Sequence, residues 1–144
     1  MVGGGPAGLS GALVLGRVRR RVLLLDTESP ANAASYAIHG FLSRDGTPPR
    51  EVRRVAREQL RPYDTVEYRR LPRVPLAACP RVAFELAWRT ALRWRPGGCF
   101  AHGMRYALPD LPGVGDVCGQ HVFHCPYCHG WEVRDRAIRR LRWR

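Results

Sequence analysis

Gly3-Gly4-Gly5-Pro6-Ala7-Gly8 follows the apolar pair Met1-Val2 and precedes an apolar segment that runs to Gly16. This order predicts the end of a strand, a tight turn and a helix. The apolar run from Val22 to Leu25, closed by Asp26, predicts a buried parallel strand. The three elements form a βαβ unit, so the predicted fold class is α/β, with a Rossmann-type domain at its start.

The glycine spacing G-x-G-x-x-G is typical of dinucleotide-binding turns. In such turns the first glycine makes the bend, the second lets a pyrophosphate approach the backbone, and the third allows close packing of helix on strand. The helix N-terminus supplies free amides and a positive dipole end. Asp26 lies 18 residues after Gly8, near the position of a ribose-binding carboxylate. The predicted cofactor-binding residues are Gly3, Gly5, Pro6, Ala7, Gly8 and Asp26. The alternative is a glycine-rich turn in an ordinary α/β domain.

Downstream of this unit the elements are less regular. Residues 27–47 read as a loop, in which we interpret His39 as a solvated or packing histidine. A helix is predicted from Pro48 to about Arg61, a strand over 64–70, and a strand fragment over 84–87. Residues 109–117 are rich in Pro and Gly and predict a linker.

Composition limits the class of protein. The chain has 144 residues, of which 45% are apolar and 25% charged, which suits a globular domain with a core. It shows no run of about 18 apolar residues and no basic segment before an apolar stretch, so we expect a cytoplasmic chain. The five cysteines are an odd number, which favours thiols, metal ligands or redox catalysts over a structural disulfide framework.

The formal net charge of +12 is unevenly distributed. Every basic residue is arginine, and the net charge is +3 over 1–68, +7 over 69–105, −3 over 106–133 and +5 over 134–144. Neither basic stretch shows the helical spacing or aromatic interleaving of a nucleic-acid surface. Nucleic-acid binding is therefore an unfavoured alternative.

A C-x-x-C-H motif, Cys125-Pro126-Tyr127-Cys128-His129, carries the second chemical signal. Two thiols at this spacing can close a disulfide across the first turn of a helix, where the helix N-terminus lowers a cysteine pKa. A neighbouring histidine can accept and return the proton. We predict that Cys125, Cys128 and His129 are catalytic. The alternatives are a c-type haem attachment site, a zinc site completed by Cys118 and His121, and ordinary buried thiols.

Together these motifs resemble the thioredoxin reductase-like family of FAD and NAD(P)-dependent disulfide oxidoreductases. The matching segments occur in family order, over residues 1 to about 72 and 101–136. They are Gly3–Gly8, Leu24–Asp26, His39–Phe41 with Arg44–Gly46, Gly103-Met104 with Leu111–Gly113, and Cys125–Gly130. The histidine directly after the cysteine pair makes the motif resemble that of the family branch of dithiol oxidases and related reductases.

The resemblance implies an FAD domain over 1–113 and the start of an NADPH and redox-disulfide domain over 114–144. It implies electron transfer from NADPH through FAD to the disulfide, with Cys128 facing the flavin, Cys125 exchanging with substrate and His129 shuttling the proton. The implied substrate is a dithiol or disulfide, either a small molecule or a thioredoxin-like protein, and a homodimer is possible in the family. The alternative functions are an oxygen-using flavin dithiol oxidase and a non-enzymatic zinc-binding or nucleic-acid-binding module.

Some features depart from the family pattern. The chain contains no second glycine fingerprint, so we expect no NADPH site within it and no NADPH turnover by it alone. Residues 73–102 and 138–144 are rich in Arg, Trp, Pro and Gly, and His102 stands where the family has threonine. We hypothesise that these two stretches are out-of-frame translations of a GC-rich gene.

Overall fold

A computed structural model describes residues 1–71, 76–79, 83–86, 98–104 and 107–140, with backbone alone at 76–79 and 83–86. The described helices are α1 (Pro6–Arg17), α2 (Pro49–Leu60), α3 (Val114–Val117) and α4 (Pro126–His129). The strands are β1 (Val22–Asp26), β2 (Val66–Arg70), β3 (Leu76–Cys79) and β4 (Ala83–Leu86). The predicted helix and strand after the glycine turn, the second helix and the strand after it are therefore confirmed, and the predicted first strand is represented by the parallel bridges of Val2.

Parallel pairing organises the sheet around β1. β2 pairs with it in parallel, from Val22 opposite Val66 to Asp26 opposite Arg70. Val2 forms parallel bridges to Leu25 on one side and to Phe100 on the other. The order across the sheet is therefore β2, β1, Val2 and Phe100, which is the 3-2-1-4 order of a doubly wound dinucleotide-binding sheet. The fold is α/β, with an incomplete Rossmann-type sheet.

A hydrophobic core fixes α1 against this sheet. Leu9 and Ala12 of α1 are buried with Leu24 of β1, and Leu60 at the end of α2 closes the same cluster. Leu24 and Ala12 have no exposed surface. Burying a side chain such as leucine contributes about 1.5–3 kcal/mol, so these contacts hold α1, with the glycine turn at its start, against β1.

The contacts divide the chain into two compact units. The first comprises residues 1–30 and 53–104, and the second comprises residues 31–52 and 105–144. The first unit contains the glycine turn and the parallel sheet. The second contains the cysteine motif and the loop that carries His39. The domain boundary between residues 113 and 114 remains a prediction.

The segment 109–117 is not all linker, because Val114–Val117 forms one helical turn whose Val114 is buried. Gly113 takes a left-handed conformation before this turn, with a φ of 79°.

The anomalous stretches 73–102 and 138–144 fall largely outside the described residues. Within the part described, no helix is long and apolar enough to cross a membrane.

Candidate functional site

The glycine turn has the shape that a diphosphate requires. Gly3 has a φ of 110°, a conformation that other residues rarely adopt. A Cβ on Gly8 would collide with the Gly3 carbonyl oxygen, so the helix packs directly on the turn. In contrast, a Cβ on Gly5 would have no atom within 4 Å. Gly5 therefore faces open space, as the position next to a pyrophosphate should.

Helix α1 begins at this turn with its first amides available. Gly5 is the N-cap and Pro6 occupies the first helical turn, and no side chain caps the helix. The first-turn amides of an α-helix have no partner within the helix, and its dipole favours an anion there. The geometry of Gly3, Gly5 and Gly8 thus fits the phosphates of a dinucleotide. The cofactor-binding roles of these residues remain a prediction.

Asp26 lies at the carboxyl end of β1 and is 5% exposed. Its carboxylate accepts hydrogen bonds from the Tyr68 hydroxyl at 2.6 Å and from the Glu28 amide at 3.0 Å. A Cβ on Gly4 would collide with this carboxylate, so the Asp26 side chain packs directly against the glycine turn. Its predicted role in binding ribose is untested, and the structure adds a role in shaping the turn.

The sequence reasoning did not identify the groups around Asp26. Burial and the hydrogen bond to Asp26 raise the pKa of Tyr68 to about 12. Arg57 lies 3.2 Å from the Glu28 carboxylate, and Arg70 lies 2.9 Å from it. Tyr68 and Arg70 come from β2, so the parallel register of the two strands brings them to the end of β1. The alternation of side chains along β2 could indicate which face of the sheet carries Tyr68. It could not indicate that Asp26 is the hydrogen-bond partner of Tyr68.

The cysteine pair lies at the start of α4. Cys125 is the N-cap, Pro126 follows it in the first turn, and Cys128 is within the helix. The structure joins Cys125 and Cys128 in a disulfide with Cα atoms 5.4 Å apart, within the range for such bonds. Cys99 and Cys118 are free. The predicted pairing is therefore present in the structure, whereas its redox activity is untested.

His129 ends the same helix and is 8% exposed. Its ring stacks on Phe123 with a centroid distance of 4.7 Å, and Tyr36 meets its edge at 6.3 Å. Its Nε2 lies 2.9 Å from the Ser35 hydroxyl oxygen. Burial, reinforced by His39, lowers the pKa of His129 below the ordinary value. A histidine in this state is neutral near pH 7 and can accept a proton.

His39 lies in the same unit as His129. The two ring centroids are 6.1 Å apart. The His39 Nδ1 lies 3.3 Å from a Glu132 oxygen and 3.7 Å from an Asp45 oxygen. Asp45 also accepts a hydrogen bond from the Gly40 amide at 2.7 Å. The His39-Gly40-Phe41 segment, interpreted as a loop with a packing or solvated histidine, thus packs beside the cysteine motif.

The zinc alternative finds no support in the geometry. Cys125 and Cys128 are bonded to each other. Among the residues that the structure describes, no group of three or more His, Cys, Asp or Glu side chains could hold a metal ion. A site completed by Cys118 and His121 would need these four side chains to converge.

Comparisons with known proteins identify the relatives of this chain. No protein-family model matches it. An Arthroderma benhamiae protein named "Probable thioredoxin reductase" is 33% identical over 96% of this chain and 36% of its own length. Thioredoxin reductase tcpT of Claviceps purpurea is 33% identical over 93% of this chain and 43% of its own. An oxidoreductase from Agrobacterium tumefaciens has a crystal structure that matches with a TM-score of 0.81 and 38% identity, over 92% of this chain and 45% of that one.

Both curated relatives are named as thioredoxin reductases, and the solved oxidoreductase structure matches this chain in fold. The chain spans less than half the length of each of them. The motifs quoted above therefore occur in a chain whose fold and sequence both match this group. The resemblance is confirmed: by sequence and by fold, this chain is similar to thioredoxin reductases and related oxidoreductases, of which it spans less than half the length.

Proposed function

We propose that this chain supplies the FAD-binding turn and the redox disulfide of an enzyme that passes electrons between NAD(P)H, FAD and a dithiol or disulfide substrate. The observation that carries the proposal is the Cys125–Cys128 disulfide at the first turn of α4, followed directly by the buried His129. The names of the curated relatives support the class of reaction.

The first unit supports FAD as the cofactor. The open space at Gly5 and the uncapped start of α1 suit a diphosphate group. Gly3 and Gly8 would hold the turn, and the Ala7 and Gly8 amides would donate to phosphate oxygens. FAD, when bound, supplies two-electron redox chemistry between a nicotinamide and the cysteine pair.

The second unit supports thiol–disulfide exchange. In the reduced pair, the Cys125 thiolate would attack a substrate disulfide, forming a mixed disulfide and releasing one substrate thiolate. Cys128 would then attack the Cys125 sulfur, which releases the second substrate thiolate and restores the Cys125–Cys128 disulfide. The substrate gains two electrons and two protons, and the cysteine pair loses them. His129 would take a proton from the attacking thiol and return it to the leaving thiolate.

The substrate class follows from this chemistry. Tyr127, between the two cysteines, is 95% exposed, so the disulfide lies on an accessible helical turn. A small disulfide or an exposed disulfide of a thioredoxin-like protein could reach such a turn. We therefore propose a dithiol or disulfide substrate of either size.

The test distinguishes a chain that binds flavin from one that binds zinc. It also shows whether the cysteine pair is redox-active. The full chain is incubated with FAD, desalted and examined for visible flavin absorbance and bound zinc. Dithiothreitol is then added without oxygen. We expect retained flavin that bleaches in the parent, and retained flavin that does not bleach in the Cys125→Ser, Cys128→Ser variant. Stoichiometric zinc without flavin, or equal bleaching in both proteins, would contradict the proposal.

A further inference from the structure

The Ser35 side chain makes two contacts that together locate a proton. Its hydroxyl donates to the Ala37 carbonyl oxygen at 2.7 Å, and its oxygen lies 2.9 Å from His129 Nε2. A serine hydroxyl has one proton to donate, and a carbonyl oxygen can only accept. Because the Ser35 proton is directed at Ala37, the Ser35 oxygen must accept the hydrogen bond from His129 Nε2–H.

The neutral form of His129 then carries its proton on Nε2. Its Nδ1 is buried and has no hydrogen-bond partner among the described residues, so an unshared electron pair is left there. In the opposite tautomer Nδ1–H would be a buried donor without an acceptor. The Ser35 hydroxyl would also have to turn away from Ala37. Buried unpaired donors are unfavourable, so the observed contacts favour the Nε2–H form.

Neighbouring groups hold the ring in this orientation. Phe123 stacks on the imidazole with an interplanar angle of 18°, which leaves the ring little freedom to rotate. The ionisable groups that act on it are His39 and His124, which lower its pKa, and Glu132, which raises it. Ser35 is the group that lies at hydrogen-bond distance from Nε2.

We propose that Ser35 is a positioning residue, which fixes the Nε2–H tautomer of His129 and leaves Nδ1 as the atom that exchanges the proton. This rests on the proposed function, in which His129 serves the Cys125–Cys128 pair. When a thiol of the pair attacks, its proton passes to Nδ1 and gives an imidazolium that still donates through Nε2 to Ser35. The same proton passes from Nδ1 to the leaving thiolate, so the ring returns to its starting tautomer.

The test uses the full chain with ¹⁵N-labelled histidine, as parent, Ser35→Ala and Ser35→Thr, with His129→Gln to assign the signals. NMR shifts of the ring nitrogens report the tautomer, and their pH titration reports the pKa. We expect the parent to carry its proton on Nε2. In Ser35→Ala the pKa of His129 should fall further, because the imidazolium loses a charge-assisted acceptor. Ser35→Thr keeps a hydroxyl and should retain the parent value.

Three results would overturn the inference. They are an Nδ1–H tautomer in the parent, an unchanged His129 pKa in Ser35→Ala, and a rise of that pKa. A rise would mean that the substitution only loosens the loop and admits water, since burial is what lowers the pKa. If Ser35→Ala does not fold, the tautomer of the parent still decides, because an Nδ1–H form overturns the inference.

A kinetic measurement tests the role of Nδ1 separately. The rate of exchange with a small disulfide is followed against pH, and its midpoint in Ser35→Ala should move with the His129 pKa. A midpoint that stays in place while the pKa moves would overturn the proton-transfer role. If no exchange depends on Cys125 and Cys128, the proposed function fails, whereas the tautomer result stands or falls on the NMR data alone.

Discussion

At the scale of single residues, Gly5 and Gly3 respond very differently to an added side chain. A Cβ on Gly3 would strike the backbone of Ala101, whereas one on Gly5 meets nothing within 4 Å. Gly5→Val should therefore leave the fold intact and occupy the space that a pyrophosphate needs. We expect flavin retention to be lost, as measured by visible absorbance after desalting.

Gly115→Val is the matched control for this substitution. Gly115 also has open space around an added Cβ and lacks a positive φ. It lies in α3 and not in the glycine turn. Its flavin retention should equal that of the parent. If Gly5→Val also retained flavin, the assignment of the turn as the phosphate site would be wrong.

Tyr68 gives a second prediction at this scale, which concerns pH. Its folded pKa of about 12 exceeds the ordinary value of 10.0, so folding favours the neutral phenol. The stability that this contributes is fully present below pH 10 and is lost as the pH rises toward 12. Tyr68→Phe should remove that part of the pH dependence, as measured by urea unfolding at a series of pH values.

The same variant should also be less stable at neutral pH. The Asp26 carboxylate would lose the donor at 2.6 Å and keep the Glu28 amide. Leaving a buried acceptor with fewer partners costs about 1–3 kcal/mol. Equal unfolding free energies for the parent and Tyr68→Phe at pH 7 would show that the hydroxyl does not stabilise the turn.

At the scale of elements, the short helix α4 begins with two cysteines that are joined in a disulfide. Thiol titration in denaturant should find two more groups after reduction than before it, because a disulfide joins Cys125 and Cys128. The Cys125→Ser, Cys128→Ser variant should show no such difference. The Cys99→Ser, Cys118→Ser variant is the control, since these cysteines are free, and it should keep the difference of two. A difference that survived in the first variant would place the redox pair elsewhere.

The elements also show what the sequence could predict. The glycine spacing and apolar runs predicted α1, β1 and their order, because turn, helix and buried strand each have a local pattern. The C-x-x-C spacing likewise predicted the disulfide. Ser35 and His129 are 94 residues apart, and no local pattern could indicate their hydrogen bond. The link between Tyr68 and Asp26 depends on strand register and was equally out of reach.

At the scale of the whole molecule, cofactor binding should appear as stability. A ligand that binds only the folded chain stabilises it by about 2.7 kcal/mol when present at 100 times its dissociation constant. For a chain of this size, each kcal/mol raises the melting temperature by roughly 2–4 °C. Thermal melting followed by circular dichroism should therefore shift upward by roughly 5–11 °C with saturating FAD. Gly5→Val should show no shift, whereas Gly115→Val should shift like the parent.

Because Leu9, Ala12 and Leu24 pack α1 on β1, ordering of the glycine turn should be transmitted to the sheet. Amide hydrogen exchange in α1 and β1 should accordingly slow on FAD addition in the parent. Unchanged melting and exchange with FAD would mean that the first unit does not bind the cofactor.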